Sequence, residues 1–284
     1  MSQESTILHL VEPGQQASSV AAMKPIFTPE KAEELLAKCR ALEARAEDEK
    51  PPAMCAICGD TKWEHVEGNG VRRCECYWRE LALKKLAAIP TGHQHVQWKT
   101  LAPDVERFTG MPHGKSLIEM QQRNITQIKQ EPDKSYFLWG ATGLGKSALL
   151  YAIYRRAVGK RMPAYAFTLS DYLADMREVA FGQDATYHVS DRFDVSVLYQ
   201  KERRVCVCID EVSSPGTRPT MFAAEQLRKL IDAVINWGPA GGHQLIVTSN
   251  YSADDLGAFW SQESAAGFAA VRRMLEGAVE LEFN

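Results

Sequence analysis

The octet Gly140-Ala141-Thr142-Gly143-Leu144-Gly145-Lys146-Ser147 meets every position of the pattern G-x4-G-K-[ST]. It lies between an apolar run, SYFLWG, and a segment with helical periodicity. Glycines at these spacings let a loop wrap so that backbone N–H groups point inward, and a helix starting at Lys146 adds the positive end of its dipole at the same point. Polyphosphate is the ligand such a loop takes. Lys146 is placed to neutralise the β and γ phosphates, and the Ser147 hydroxyl is placed to take one coordination position on Mg2+. The alternative is a glycine-rich strand-to-helix turn with no ligand, which the complete motif and its flanks disfavour.

About sixty residues on, the run Val205-Cys206-Val207-Cys208-Ile209 ends in Asp210-Glu211. Acids at the carboxyl end of a buried parallel strand sit where ligands bind in such sheets. Asp210 would hold the Mg2+ shell and Glu211 would orient and polarise the attacking water. Alone, an Asp-Glu pair after a strand is also a common solvated turn. A third apolar run, Leu245-Ile246-Val247, finishes at Thr248-Ser249-Asn250. The Asn250 amide either reaches the lytic water or the γ phosphate, or simply closes the strand through an Asx turn.

A second chemistry is written in cysteines. Of the seven in the chain, Cys55, Cys58, Cys74 and Cys76 fall within 22 residues, as Cys-x2-Cys and Cys-x-Cys pairs separated by fifteen residues. Two such knuckles can close one tetrahedral Zn2+ site, with Zn–S distances of about 2.3 Å, and four thiolates leave no open position, so the role would be structural. His65 in place of one thiolate, four reduced cysteines without metal, and iron-sulfur ligation are the competing readings. Cys206 and Cys208 alternate with valines and read as core thiols, and Cys39 lies alone on a helical segment.

The elements that must carry these residues follow from periodicity. Residues 1–27 have no clear pattern and read as a disordered lead, and residues 28–90 read as a helix over 29–50 followed by the cysteine module. Residues 91–132 read as a linker containing a helix near 115–130, and residues 133–284 as the main domain. There, strands alternate with helices, which implies a parallel sheet covered on both faces, an α/β fold. A length of 284 residues suits one sizeable core and a small accessory module. A net charge of -3 gives no global basic signal, so any nucleic-acid contact must come from local clusters such as Arg155-Arg156, Lys160-Arg161 or Lys201 to Arg204. A solvated helix end explains each of these equally well. No run approaches the apolar length of a membrane span and no signal peptide is evident, so the expectation is a cytoplasmic protein with no membrane contact.

The order of these motifs, closing with the segment Ala270-Val271-Arg272-Arg273-Met274-Leu275-Glu276-Gly277 and the final run VELEF, resembles the DnaC and IstB ATPases over roughly residues 98–284. Similar CxxC…CxC modules precede the ATPase core in some DnaC-like helicase loaders, which tilts the resemblance towards the DnaC type. The resemblance implies a P-loop AAA+ core without a C-terminal lid, binding ATP and Mg2+, in a homo-oligomer whose ATP sites lie between subunits. By it, Asn250 corresponds to the sensor 1 residue and Arg273, ahead of Arg272, to the arginine finger supplied to a neighbouring subunit, a solvated helix face being the alternative for both arginines. It further implies a replicative DNA helicase and single-stranded DNA as partners. The 29–50 helix and the cysteine module are the docking candidates because they lie outside the ATPase core, with Trp63 and Trp78 as either anchors or simple packing. Leu144 stands where the family often has Thr, and the SSPGTRPTM insert after Asp210-Glu211 is uninformative. The rival functions are an IstB-like helper of a DNA transposase and a nucleotide-gated adaptor that binds ATP without turnover.

Overall fold

In the computed structural model, residues 31, 55–68, 70–180, 193, 195–199, 203–213, 219–238, 242–262 and 264–284 are described. The expected disordered lead, nearly all of the expected 29–50 helix, Cys39, Lys201 and most of the SSPGTRPTM insert lie outside them. The chain divides into two compact units, residues 1–60 and 61–284.

In the first unit, the Cys55-x2-Cys58 turn is closed by two hydrogen bonds. Gly59 N donates to Cys55 O at 2.9 Å, and Cys55 N donates to Asp60 Oδ1 at 3.0 Å.

The second unit opens with a two-stranded antiparallel hairpin, β1 (Trp63–Val66) and β2 (Gly70–Arg73), followed by helix α1 (Glu75–Ala87). Then come a short helix α2 (Val105–Phe108), helix α3 (Gly114–Gln130), strand β3 (Ser135–Gly140) and helix α4 (Lys146–Gly159). Strand β4 (Ala164–Thr168), helix α5 (Leu169–Ala180), strand β5 (Cys206–Asp210) and helix α6 (Met221–Asn236) follow. The chain ends with β6 (Gln244–Ser249), α7 (Ala253–Ser261), α8 (Ala265–Glu276) and β7 (Ala278–Phe283).

The five strands β3 to β7 form one parallel sheet in the order β4-β5-β6-β3-β7. Their period of two divides the core. Phe137, Val207, Ile209, Leu245 and Val247 meet the apolar faces of α5, α6, α7 and α8, while Tyr136, Leu138, Cys206, Cys208 and Ile246 meet α3 and α4. Both faces are covered, as the near-continuous apolar strands require. Burying a Leu or Ile fully contributes about 1.5–3 kcal/mol each, and Leu150, Ile153, Leu230 and Ile231 are among those at full burial. Cys206 and Cys208 are in this core as expected, their sulfurs 3.7 Å apart, and burial pushes the Cys208 thiol well up.

Two stretches expected outside the main domain pack into the same core. Met120, Ile125 and Ile128 on α3 are buried in it, and so is Ile89 just after α1, with Ala82 and Leu86 against it. Helix α1 is bound to the five-stranded sheet further by Lys85 Nζ, which donates to Ala164 O at 2.6 Å. Helix spacing alone could not tell a linker helix from a core helix, because the burying partner is distant in sequence.

Candidate nucleotide-binding site

Parallel strands deliver their carboxyl ends to one edge, and the strand order puts β6 between β3 and β5. Leu138 pairs with Thr248, and Ile209 with Val247, so the octet after β3, the acids after β5 and Asn250 after β6 reach the same place.

The octet runs from Gly140 through a turn with positive φ at Gly143 (83°) and Gly145 (95°), and α4 begins at Lys146 as its motif requires. Gly140 has a packing reason of its own. A Cβ there would lie 2.0 Å from Phe283 O, which instead accepts a hydrogen bond from Ala141 N at 2.9 Å. The end of β7 therefore braces the start of the loop.

Lys146 is buried, and its ammonium donates to Gly140 O and Ala141 O at 2.8 Å each and to Asn250 Oδ1 at 3.1 Å. Burial pushes its pKa down, while Asp210 and Glu211 push it back up. Ser147 Oγ donates to Asp210 Oδ1 at 2.9 Å, so the two candidate Mg2+ ligands already meet. Lys146, Ser147, Asp210, Glu211 and Asn250 are thus brought together at one edge. A cavity of about 290 Å³ is lined by Lys146, Ser147, Glu211 and Asn250 together with Thr142, Gly143, Gly145 and Thr248.

Several residues here were not singled out from the sequence. Thr248 Oγ1 donates to Asp210 Oδ1 and accepts from Glu211 N at 2.9 Å. Ser213 Oγ accepts from Asn250 N at 2.9 Å, fixing the strand end that carries the amide. Gln121, buried on α3, accepts from Asp104 N at 2.9 Å and donates to Leu144 O at 2.8 Å. The stretch expected as a linker supplies more of the wall, with Gly92, His93, Val96, Leu101 and Phe108 lining the cavity. No spacing rule marks such residues, since each acts through a partner far away in sequence.

Arg273 stands apart from the site of its own chain. It donates to Asn236 Oδ1 at 2.9 Å and lies 3.4 Å from Asp232 on α6, whereas Arg272 pairs loosely with Glu276 at 3.8 Å. Cys74, buried, and Cys76 sit at the start of α1, with Cys74 N donating to Lys62 O at 2.9 Å.

A family model described as AFG1-like ATPase matches residues 91–268, more than half of the chain. The chain belongs to the AFG1-like ATPase family. As a member it is a P-loop AAA+ ATPase that binds nucleotide, and the matched segment begins within the stretch that lines the cavity. No curated protein matches this AFG1-like ATPase. Solved structures similar to it include the DnaC helicase loader, 17% identical, covering 69% of this chain and 100% of that one at a TM-score of 0.48. DnaI is 14% identical, covering 69% and 92%, with a TM-score of 0.42. Replication initiator DnaA bound to AMPPCP and single-stranded DNA is 13% identical, covering 69% of this chain and about half, 51%, of that one at a TM-score of 0.43. Among the described residues, no helix is long and apolar enough to cross a membrane.

Proposed function

We propose that this AFG1-like ATPase hydrolyses ATP with Mg2+ in a homo-oligomer and uses the cycle to load a replicative helicase onto single-stranded DNA. The observation that carries hydrolysis is the meeting of Lys146, the Ser147–Asp210 pair, Glu211 and Asn250 at one sheet edge. Their donor set fits the groups proposed. Two oxygen ligands, Ser147 and Asp210, would hold Mg2+, which when bound neutralises charge on the β and γ phosphates. Lys146 gives up carbonyl contacts for phosphate oxygens, Glu211 accepts the proton of the attacking water, and Asn250 orients that water. Arg273 completes the site of a neighbouring subunit. The loader role is supported by the resemblance of the motif order and the cysteine module to DnaC-type proteins.

The same proposal includes one structural zinc ion on Cys55, Cys58, Cys74 and Cys76. The reading rests on the sequence, in which a Cys-x2-Cys pair and a Cys-x-Cys pair are separated by fifteen residues. Thiolate donors at this count suit zinc and leave no site for catalysis. Metal analysis of the purified protein is expected to find about one zinc per chain, and replacement of both Cys74 and Cys76 by Ser should abolish it. Less than about half an equivalent in the wild type would count against the four-cysteine site.

The deciding experiment measures ATP turnover with and without single-stranded DNA and the replicative helicase, with Lys146→Ala as blank and Glu211→Gln as a variant that still binds ATP. Turnover that requires both residues and responds to both partners supports the loader. Stimulation by DNA with indifference to helicase favours the transposase helper, and unchanged turnover in Glu211→Gln removes the general base.

A further inference from the structure

Among the cationic side chains lining the nucleotide cavity, Lys146 is held by three acceptors, whereas Arg107 has no ion pair or hydrogen bond among the described residues. Arg107 lies on α2, is exposed, and its guanidinium has neither an ion pair nor a hydrogen bond among the described residues, only the ring of Phe108 at 5.7 Å. Yet it stands directly on the phosphate loop. A Cβ at Gly143 would lie 2.8 Å from Arg107 Nη2, so the absence of a side chain there is what admits the guanidinium.

Its backbone is fixed to that loop. Asp104 caps α2 by accepting from Arg107 N at 3.1 Å, and Asp104 N donates to Gln121 Oε1 at 2.9 Å. Gln121 Nε2 in turn donates to Leu144 O at 2.8 Å, one residue beyond Gly143. A guanidinium with no ion pair or hydrogen bond among the described residues, held through its helix against the loop proposed to take polyphosphate, is chemically matched to a phosphate oxygen. Guanidinium binds phosphate oxygens through paired N–H donors.

We infer that Arg107 is a polyphosphate ligand, supplied in cis from the segment ahead of the sheet and acting beside Lys146. The inference rests on the proposal that the cavity holds ATP. A charge-assisted contact of this kind accounts for roughly tenfold to hundredfold in affinity.

The test is calorimetric titration of ATP and of inorganic tripolyphosphate, each with Mg2+, into wild type, Arg107→Ala, Arg107→Lys and Lys146→Ala, with thermal unfolding of each protein in the absence of nucleotide. The expected result is a loss of roughly tenfold or more for both ligands in Arg107→Ala, partial recovery in Arg107→Lys, and an unfolding temperature equal to wild type. Unchanged affinity in Arg107→Ala, alongside loss of binding in Lys146→Ala, overturns the inference and leaves the nucleotide site standing. Loss for ATP but not for tripolyphosphate would place the guanidinium on the base and also overturn it. Wild-type affinity in Lys146→Ala would remove the proposed nucleotide site, and the role of Arg107 with it.

Discussion

Thr248 Oγ1 donates to Asp210 Oδ1 and accepts from Glu211 N, so one buried hydroxyl ties the acid expected at the metal to the backbone of the acid expected at the water. Glu211 needs such a restraint. Its φ of 58° is in the left-handed region, where a residue with a side chain is strained by about 1–3 kcal/mol unless its surroundings impose the conformation. Val212 N, donating to Thr248 O at 3.0 Å, holds the other side of the same turn. Replacing Thr248 by Val should leave the Glu211 amide without its partner, lowering stability by roughly 1–3 kcal/mol, and should cut ATP turnover with little change in ATP affinity. Thr248→Ser should recover both. Urea unfolding and steady-state kinetics on the two variants read this, and a Val variant with wild-type turnover would show that the bridge does not position Glu211. The acids and Asn250 were legible in the sequence because each closes an apolar run. Thr248, Ser213 and Gln121 were not, because a lone hydroxyl or amide acquires its role only from a partner that the fold brings near.

At the scale of elements, α4 is fastened at both ends. Its first residue is the lysine of the loop, and near its last turn Arg156, largely buried, donates to Pro132 O at 3.0 Å and Asp133 Oδ1 at 2.9 Å, just ahead of β3. Gln244, at the start of β6, donates to Pro132 O and Lys134 O, so the turn before β3 is held by two neighbouring elements. The basic cluster at the end of α4 thus has work inside the chain. Arg155 reaches Gln94 O, Lys160 lies 3.7 Å from Asp133 and Arg161 pairs with Glu75, which favours structural roles over contact with DNA. The hydrogen bond from Arg156 is the main reason Asp133 titrates below its ordinary value of 3.8, with Lys160 and Arg204 adding to it. A carboxylate with a depressed folded pKa contributes stability that is fully present above the unfolded value and is lost as pH falls through the folded one. Asp133→Asn should therefore be less stable than wild type at pH 7, and the difference should shrink below the ordinary carboxylate value of 3.8. Asp133 is more than half exposed, so the gap should be small. Urea midpoints at neutral and acid pH check this, and a gap that stays constant would deny Asp133 its role.

For the whole molecule, alternation of strand and helix foretold a parallel sheet with two covered faces, but not the order that sets β6 between β3 and β5 and brings Asn250 to Lys146. That order comes from crossovers, and local pattern carries no trace of it. The same limit applies beyond one chain. Arg273 is tied to Asp232 and Asn236 and does not line the cavity of its own chain, and the proposed function has it act in trans. If it does, Lys146→Ala and Arg273→Ala disable opposite halves of one interface. Each variant alone should lose most turnover, since an arginine finger contributes on the order of 10³-fold or more to phosphoryl transfer. Mixed in equal amounts, they should regain activity. Random assembly in a head-to-tail ring pairs an intact loop with an intact arginine at roughly a quarter of the interfaces, so the mixture should approach roughly a quarter of wild-type turnover. An arginine acting within its own chain, or serving only to hold α8 against α6, would leave the mixture at the mean of the two inactive proteins.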